Sequence, residues 1–284
     1  MNVKIVDLKE KDAPHQVTES LVESGFAVVE NHPIPASELD AFYAAWDNFF
    51  LNGNPEDYTV DPETHAGYFS PNQAETAKGH EAQDLKAYFQ FWPGGKLPQE
   101  VHDITLRYYD EIYALGADVM TWLQENTSSS LWQAIDKPFA EYLSRAMTLL
   151  RVLRYPPLTG DEPPDAIRAG AHEDINLITM LPAASQSGLE IQPKGMDEWF
   201  PVESPPGSIV INIGDMLQEL TGGALPSTSH RVVNPTGEEA KKARLTAPIF
   251  CHPYPDMVLS DRYTAESYLH ERLNEISTDD LKPV

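Results

Sequence analysis

The chain has 284 residues, of which 41% are hydrophobic and 23% are charged, and its formal net charge is −24. These values are typical of a globular protein with a buried core, and the acidic excess argues against nucleic acid and anionic membrane surfaces as partners, because both are bound through lysine and arginine clusters. A single cysteine, Cys251, excludes an intrachain disulfide and favours a reducing compartment, for which we expect the cytoplasm.

The first half of the chain is predicted to be mostly helical. In the longest candidate helix, the apolar residues Val101, Ile104, Tyr108 and Ile112 recur at spacings of three and four, which is one helical stripe. Such a stripe should pack against a sheet. The spacing of apolar residues, and glycine and proline at the ends of segments, predict short strands at 3–8 and 26–30. The same signals predict helices at 15–24, 38–51, 99–126 and 137–149.

The stretch from 52 to 98 lacks a clean period. Aromatic side chains are frequent in two parts of it, Gly67-Tyr68-Phe69 and Tyr88-Phe89-Gln90-Phe91-Trp92. A long irregular stretch inside a compact domain is usually functional or mobile. These aromatic residues either line a substrate entrance or attach the stretch to the core, and the sequence favours neither interpretation.

The second half of the chain is predicted to be rich in strands, which glycine and proline interrupt. This spacing favours a sandwich or barrel such as a jelly roll. We expect one domain over 1–284, with a mainly helical layer at 1–150, a catalytic core at 151–258 and a C-terminal helix within 259–284. The predicted strands lie at 152–155, 175–181, 188–192, 199–202, 208–213, 228–233 and 244–251, and the last helix lies at 261–276.

A candidate metal site begins with His172 and Asp174, which are two residues apart. On an extended strand such residues point to the same side, so that both can contact one ion. A single histidine and carboxylate at this spacing are weak evidence for a metal site. Here, however, they precede the predicted strand 175–181, and a third candidate ligand, His230, lies within the predicted strand 228–233. Two histidines and one carboxylate with open positions are the ligand set of non-haem Fe(II) oxygenases. The working hypothesis is therefore an iron-dependent oxygenase.

A candidate carboxylate-binding pair follows in the next predicted strand. Arg244 and Thr246 share a face by the same two-residue rule. A guanidinium can bind a carboxylate through two hydrogen bonds, and a hydroxyl beside it can add a third. Arg244 alone could serve a surface ion pair, but its position beside Thr246 and downstream of the candidate metal strand favours an anion site.

At this point the chain resembles the isopenicillin N synthase-like family of Fe(II)- and 2-oxoglutarate-dependent oxygenases. The resemblance covers most of the chain and depends on an ordered set of motifs. They are His172-Glu173-Asp174 through Thr179-Met180-Leu181, Gly188–Gln192, Trp199–Val202, Pro206–Asp215, His230–Pro235 and Arg244-Leu245-Thr246, preceded by Gly25-Phe26, Asn31-His32 and Gly67-Tyr68-Phe69.

The resemblance implies a mixed α/β (α+β) fold with a double-stranded β-helix, or jelly-roll, core and flanking helices that come mostly from the N-terminal half. It also implies Fe(II) held by His172, Asp174 and His230, and 2-oxoglutarate held at its distal carboxylate by Arg244, Thr246 and Tyr155. The family usually has serine where Thr246 stands, and the hydroxyl is retained. No catalytic residue is expected beyond the metal ligands.

The activity that the resemblance implies is oxidation of a small organic molecule by O2, with release of succinate and CO2. Hydroxylation, desaturation and ring closure all remain open, as does the substrate. One alternative is an iron oxidase of the same fold that does not use 2-oxoglutarate. A second is a jelly-roll binding protein without catalysis. We expect small-molecule partners, no nucleic acid and no membrane, and the oligomeric state is not predicted.

Overall fold

Two β-sheets form the centre of the protein. The computed structural model describes residues 3–73, 85–163 and 166–276. The strands within these residues are β1 (Ile5–Asp7), β2 (Phe26–Glu30), β3 (Gly67–Phe69), β4 (Ala87–Phe91), β5 (Leu149–Tyr155), β6 (Ala169–His172), β7 (Ile178–Pro182), β8 (Leu189–Gln192), β9 (Phe200–Pro201), β10 (Ile209–Ile213), β11 (Ser229–Val232), β12 (Arg244–Thr246) and β13 (Ile249–Cys251).

The strands divide into a major and a minor sheet. The major sheet has the order β1-β2-β10-β7-β13-β5-β4-β3, with β12 also paired to β5, and the minor sheet has the order β6-β11-β8-β9. Between the sheets, Val28 and Val210 of the major sheet pack with Ile191 and Val232 of the minor sheet in an apolar cluster. The arrangement is a jelly roll within a mixed α/β fold, which confirms the predicted fold class.

Helices cover the outer face of the major sheet. They are α1 (Ala13–Ser24), α2 (Ala36–Asn52) and α3 (His102–Asn126). Two further helices, α4 (Asp215–Leu220) and α5 (Ala265–Ile276), follow later in the chain. The stripe on α3 packs against this sheet as predicted, and Tyr108 stacks on Phe42 of α2 with ring centroids 3.8 Å apart. Strand alternation sends Met180 into this helical layer and Thr179 toward the space between the sheets.

One predicted helix is wrong. The segment 137–149 contains only a short 3-10 turn, Phe139–Tyr142, and β5 already begins at Leu149. Leu143 is extended, and the next amide, that of Ser144, donates to the carbonyl of His252 at 2.9 Å. A long-range backbone hydrogen bond therefore replaces the helical one, although the apolar spacing is compatible with a helix.

The aromatic stretch between 52 and 98 contributes two strands, β3 and β4, to the edge of the major sheet. Phe89 and Phe91 join the main core, whereas Phe69 and Tyr88 form a smaller apolar cluster with residues of β5. The first half of the chain is thus less purely helical than expected. Its predicted division from the rest, and the single domain over 1–284, stay predictions.

Among the helices of the described residues, none has the length and apolar character needed to cross a membrane.

Candidate metal centre and cosubstrate pocket

Three side chains converge where the two sheets face each other. His172 ends β6, Asp174 follows two residues later, and His230 lies on β11 directly opposite His172. Asp174 Oδ1 lies 3.9 Å from His172 Nε2 and 3.8 Å from His230 Nε2. One ligand atom from each residue lies within 4.8 Å of the others. Sequence reasoning placed both His172 and Asp174 on a strand, but only His172 belongs to β6.

Both imidazoles are oriented in the same way by backbone carbonyls. Nδ1 of His172 donates to the carbonyl of Gly170 at 2.7 Å, and Nδ1 of His230 donates to the carbonyl of Thr228 at 3.2 Å. A carbonyl can only accept, so each ring carries its proton on Nδ1 when neutral and has a lone pair on Nε2. Those lone pairs are the atoms a metal would need.

The two carboxylate oxygens of Asp174 have different neighbours. Its Oδ2 accepts hydrogen bonds from Thr179 Oγ1 at 2.5 Å and Asn212 Nδ2 at 2.8 Å, while Oδ1 faces the histidines. Burial opposes ionisation, but His230, His172 and these two hydrogen bonds outweigh it and hold the pKa of Asp174 below its ordinary value. The residue is therefore an anion ready to coordinate a cation.

The sequence assigned no role to Thr179, and it placed Asn212 at the turn after a strand with a position in the pocket as the alternative, without linking either residue to Asp174. The two residues are direct partners on β7 and β10, and both point inward. Polar residues at inward positions of two otherwise apolar neighbouring strands were the available signal, but strand pairing is needed to interpret it.

The predicted carboxylate-binding residues lie together on neighbouring strands. Arg244 of β12 pairs with Tyr155 of β5, and Thr246 follows on the same face. All three are nearly inaccessible, at 2%, 3% and 4% exposure. Among the residues that the structure describes, none forms a hydrogen bond with Arg244 Nη1 or Thr246 Oγ1. Because unpaired buried donors are costly, these two atoms are suited to a carboxylate such as the distal end of 2-oxoglutarate.

A mixed apolar and polar surface continues along the inner face of the major sheet. Phe69 stacks on Tyr88 at 4.4 Å, and the guanidinium of Arg151 lies 4.8 Å from the Tyr88 ring and 5.7 Å from the Phe250 ring. Arg151 also donates to Gln90 Oε1 through Nε and Nη2. Phe250 is the strand partner of Thr179, which links this surface to the metal ligands.

Comparison with known proteins agrees with this geometry. Residues 146–253 match the model of the 2OG-Fe(II) oxygenase superfamily, and residues 3–107 match that of the non-haem dioxygenase in morphine synthesis N-terminal family. A solved structure from Shewanella oneidensis, assigned as an oxygenase, superposes with a TM-score of 0.87 at 41% identity, covering 97% of this chain and 99% of that one.

Two curated relatives are of fungal origin. The UPF0676 protein C1494.01 of Schizosaccharomyces pombe is 31% identical over 281 residues, which cover 92% of this chain and 84% of the relative. The 2-oxoglutarate-dependent dioxygenase traH of Penicillium crustosum is 28% identical over 261 residues, which cover 84% of this chain and 77% of the relative.

Proposed function

Since the chain belongs to the 2OG-Fe(II) oxygenase superfamily and is an Fe(II)- and 2-oxoglutarate-dependent dioxygenase, we propose that His172, Asp174 and His230 hold its iron. The observation that carries the proposal is the convergence of two Nε2 lone pairs and the Oδ1 atom of Asp174. Three ligands on one side leave the remaining positions open, as non-haem iron oxygenases require.

We further propose that Arg244, Thr246 and Tyr155 bind the distal carboxylate of 2-oxoglutarate. The assignment is supported by Arg244 Nη1 and Thr246 Oγ1, which have no hydrogen-bond partner within the described part of the chain. When bound, iron with 2-oxoglutarate supplies the oxidising chemistry, in which O2 is consumed and succinate and CO2 are released. The protein's part is to fix Asp174 through Thr179 and to exclude water from the buried arginine.

The substrate proposed for this site is a small organic molecule with an apolar or aromatic part. It would lie on the inner face of the major sheet, over Phe250, Tyr88 and Phe69 and beside the guanidinium of Arg151. Pockets for small molecules commonly combine an apolar lining with a few polar groups of this kind. The sequence leaves hydroxylation, desaturation and ring closure equally open.

An anaerobic titration tests the metal and cosubstrate assignments together. Addition of Fe(II) and 2-oxoglutarate should produce a visible metal-to-ligand charge-transfer band in the native protein. His230→Ala should abolish the band, and the control His102→Ala, which alters a partly exposed histidine on α3, should retain it. A band of native intensity in His230→Ala would overturn the ligand assignment.

Succinate formation tests the alternative of an oxidase that uses iron without 2-oxoglutarate. With O2 and 2-oxoglutarate present, the native protein should release succinate, and Arg244→Met should release at least tenfold less at limiting 2-oxoglutarate. Product formation from an identified substrate without succinate would favour the alternative.

The cytoplasm remains the proposed location of the protein. The single cysteine supports it, because Cys251 is buried and unpaired and needs no oxidising compartment. Cell fractionation that recovers the protein outside the cytoplasm would contradict the proposal.

A further inference from the structure

A second arginine is buried beside the proposed cosubstrate pocket. Arg168 immediately precedes β6 of the minor sheet and has 0% exposure, while Arg244 belongs to the major sheet. Both guanidiniums approach the same ring, because the Cζ atoms of Arg168 and Arg244 lie 5.9 Å and 5.2 Å from the ring centroid of Tyr155. Two like charges are thus brought together in the interior from opposite sheets.

The hydrogen bonds of the two arginines meet at one residue, Gln186. Arg168 Nη1 donates to Gln186 Oε1 at 2.7 Å, and Arg244 Nε donates to the Gln186 carbonyl at 3.1 Å. Arg168 Nη2 donates to the carbonyl of Lys242 at 3.3 Å. All of these acceptors are neutral, so they hold the guanidiniums in place without balancing their charge.

Among the described residues, the pair of charges has no salt-bridged counter-ion, and Glu239, which acts on Arg168 electrostatically, forms its salt bridge with Lys242. Within the described parts of the chain, no carboxylate forms a salt bridge with Arg168 or Arg244, and Arg168 Nε and Arg244 Nη1 have no hydrogen-bond partner. Burial, and then the neighbouring Arg244, lower the pKa of Arg168 to about 10. Two buried positive charges without a counter-ion are energetically unfavourable. A bound anion would balance them and reduce this cost.

We propose that Arg168 is a positioning residue of the cosubstrate pocket, which adds a second positive charge for the distal carboxylate of 2-oxoglutarate and fixes Arg244 through Gln186. This inference rests on the proposed function, because it assumes that Arg244 and Thr246 bind that carboxylate. Arg168 makes the site selective for 2-oxo acids with a second carboxylate over those that end in a methyl group.

Ligand truncation distinguishes this role from a purely structural one. The protein, loaded with Mn(II) so that no turnover occurs, is titrated calorimetrically with 2-oxoglutarate and with 2-oxopentanoate, which has the same chain length but no distal carboxylate. The native protein should bind 2-oxoglutarate at least tenfold more tightly. Arg168→Met should weaken 2-oxoglutarate binding about tenfold and change 2-oxopentanoate binding less than twofold.

Two further variants complete the experiment. Arg168→Lys keeps the positive charge but cannot donate to both Gln186 and Lys242 as the guanidinium does. It should therefore bind 2-oxoglutarate more tightly than Arg168→Met but less tightly than the native protein. Arg154→Met is the matched control, because Arg154 lies on β5 but pairs with Asp47 at 2.8 Å, and it should bind both ligands as the native protein does. The melting temperature without 2-oxo acid should not fall in Arg168→Met, since an unbalanced buried charge is removed.

Each remaining outcome has a distinct meaning. If the native protein shows no preference for 2-oxoglutarate, the proposed cosubstrate site itself fails, and the role of Arg168 fails with it. If that preference is present and Arg168→Met retains it, only the role of Arg168 is overturned. The role of Arg168 would also be overturned if Arg168→Met weakened the binding of both 2-oxo acids equally. If Arg168→Met does not fold, the same comparison is made with Arg168→Lys.

Discussion

The hydroxyl of Thr179 lies 2.5 Å from Asp174 Oδ2, and this contact leaves the other carboxylate oxygen, Oδ1, facing the two histidines. Asn212 donates to the same Oδ2 from the neighbouring strand. The carboxylate is therefore held in one rotation before any cation binds. Replacing a group that orients a metal ligand in this way typically weakens metal binding about 10- to 100-fold.

We expect Thr179→Val and Asn212→Ala each to weaken divalent-metal binding about 10- to 100-fold, because Asp174 loses an orienting hydrogen bond. Anaerobic titration with Co(II), followed by its visible absorption, measures the change. Thr121→Val is a suitable control, since the Thr121 hydroxyl donates a hydrogen bond to the Ala117 carbonyl within α3. Native metal affinity in both test variants would refute the orienting role.

Gly214 supports the same carboxylate through Asn176. A Cβ atom at Gly214 would overlap the carbonyl and side-chain oxygens of Asn176, whose Nδ2 donates to Thr179 Oγ1 at 2.9 Å. We expect Gly214→Ala to lower the free energy of unfolding by about 1–3 kcal/mol, as overpacking usually does. It should also weaken Co(II) binding. Urea unfolding and the Co(II) titration measure the two effects, and a loss of stability with native metal affinity would contradict the link to Asp174.

Phe89 is central to the aromatic contacts between α2 and the major sheet. Its ring centroid lies 5.2 Å from that of Trp46 and 6.2 Å from that of Phe49, and all three side chains are fully buried. Phe89→Ala should lower the free energy of unfolding by about 3–5 kcal/mol, because a large cavity remains. Leu51→Ala, at a position that is 58% exposed on the same helix, should change it by less than about 0.5 kcal/mol. Urea denaturation measures the free energy of unfolding of both variants. Similar decreases in Phe89→Ala and Leu51→Ala would disprove the packing argument.

Cys251 should make stability depend on pH above neutrality. Burial raises the pKa of its thiol to about 12, whereas in the unfolded chain the thiol has a pKa of about 8.5. Between these values the unfolded state binds fewer protons than the folded state, so stability falls as pH rises, by up to about 1.4 kcal/mol per pH unit.

A comparison of native protein with Cys251→Ala isolates this contribution. Urea unfolding at pH 8 and pH 10 should show a smaller decline for the variant, because the thiol is absent. The folded native protein should also react slowly with a thiol reagent at pH 8, and unfolding should accelerate the reaction. Equal declines in both proteins would refute the assigned cause.

Strand spacing in the sequence indicated a sandwich or barrel such as a jelly roll, and the resemblance to a known family implied the jelly-roll core and the proposed site residues. Strands show a two-residue alternation of side chains, which can be followed at four of the proposed site residues, His172, His230, Arg244 and Thr246. Asp174 lies beyond the end of β6, so the alternation does not determine its direction. The local pattern was misleading at 137–149, where the apolar spacing is compatible with a helix. There the backbone amide of Ser144 instead donates a hydrogen bond to the carbonyl of His252.

Only the tertiary structure decided which polar groups support those residues. Thr179 and Asn212 orient Asp174 because β7 pairs with β10, and Arg168 meets Arg244 at Tyr155 because the two sheets face each other. Neither relationship follows from spacing along the chain, since alternation specifies which face a side chain takes but not which strand lies beside it. Strand order and sheet packing depend on the burial of the whole core, and they bring together residues that are far apart in sequence.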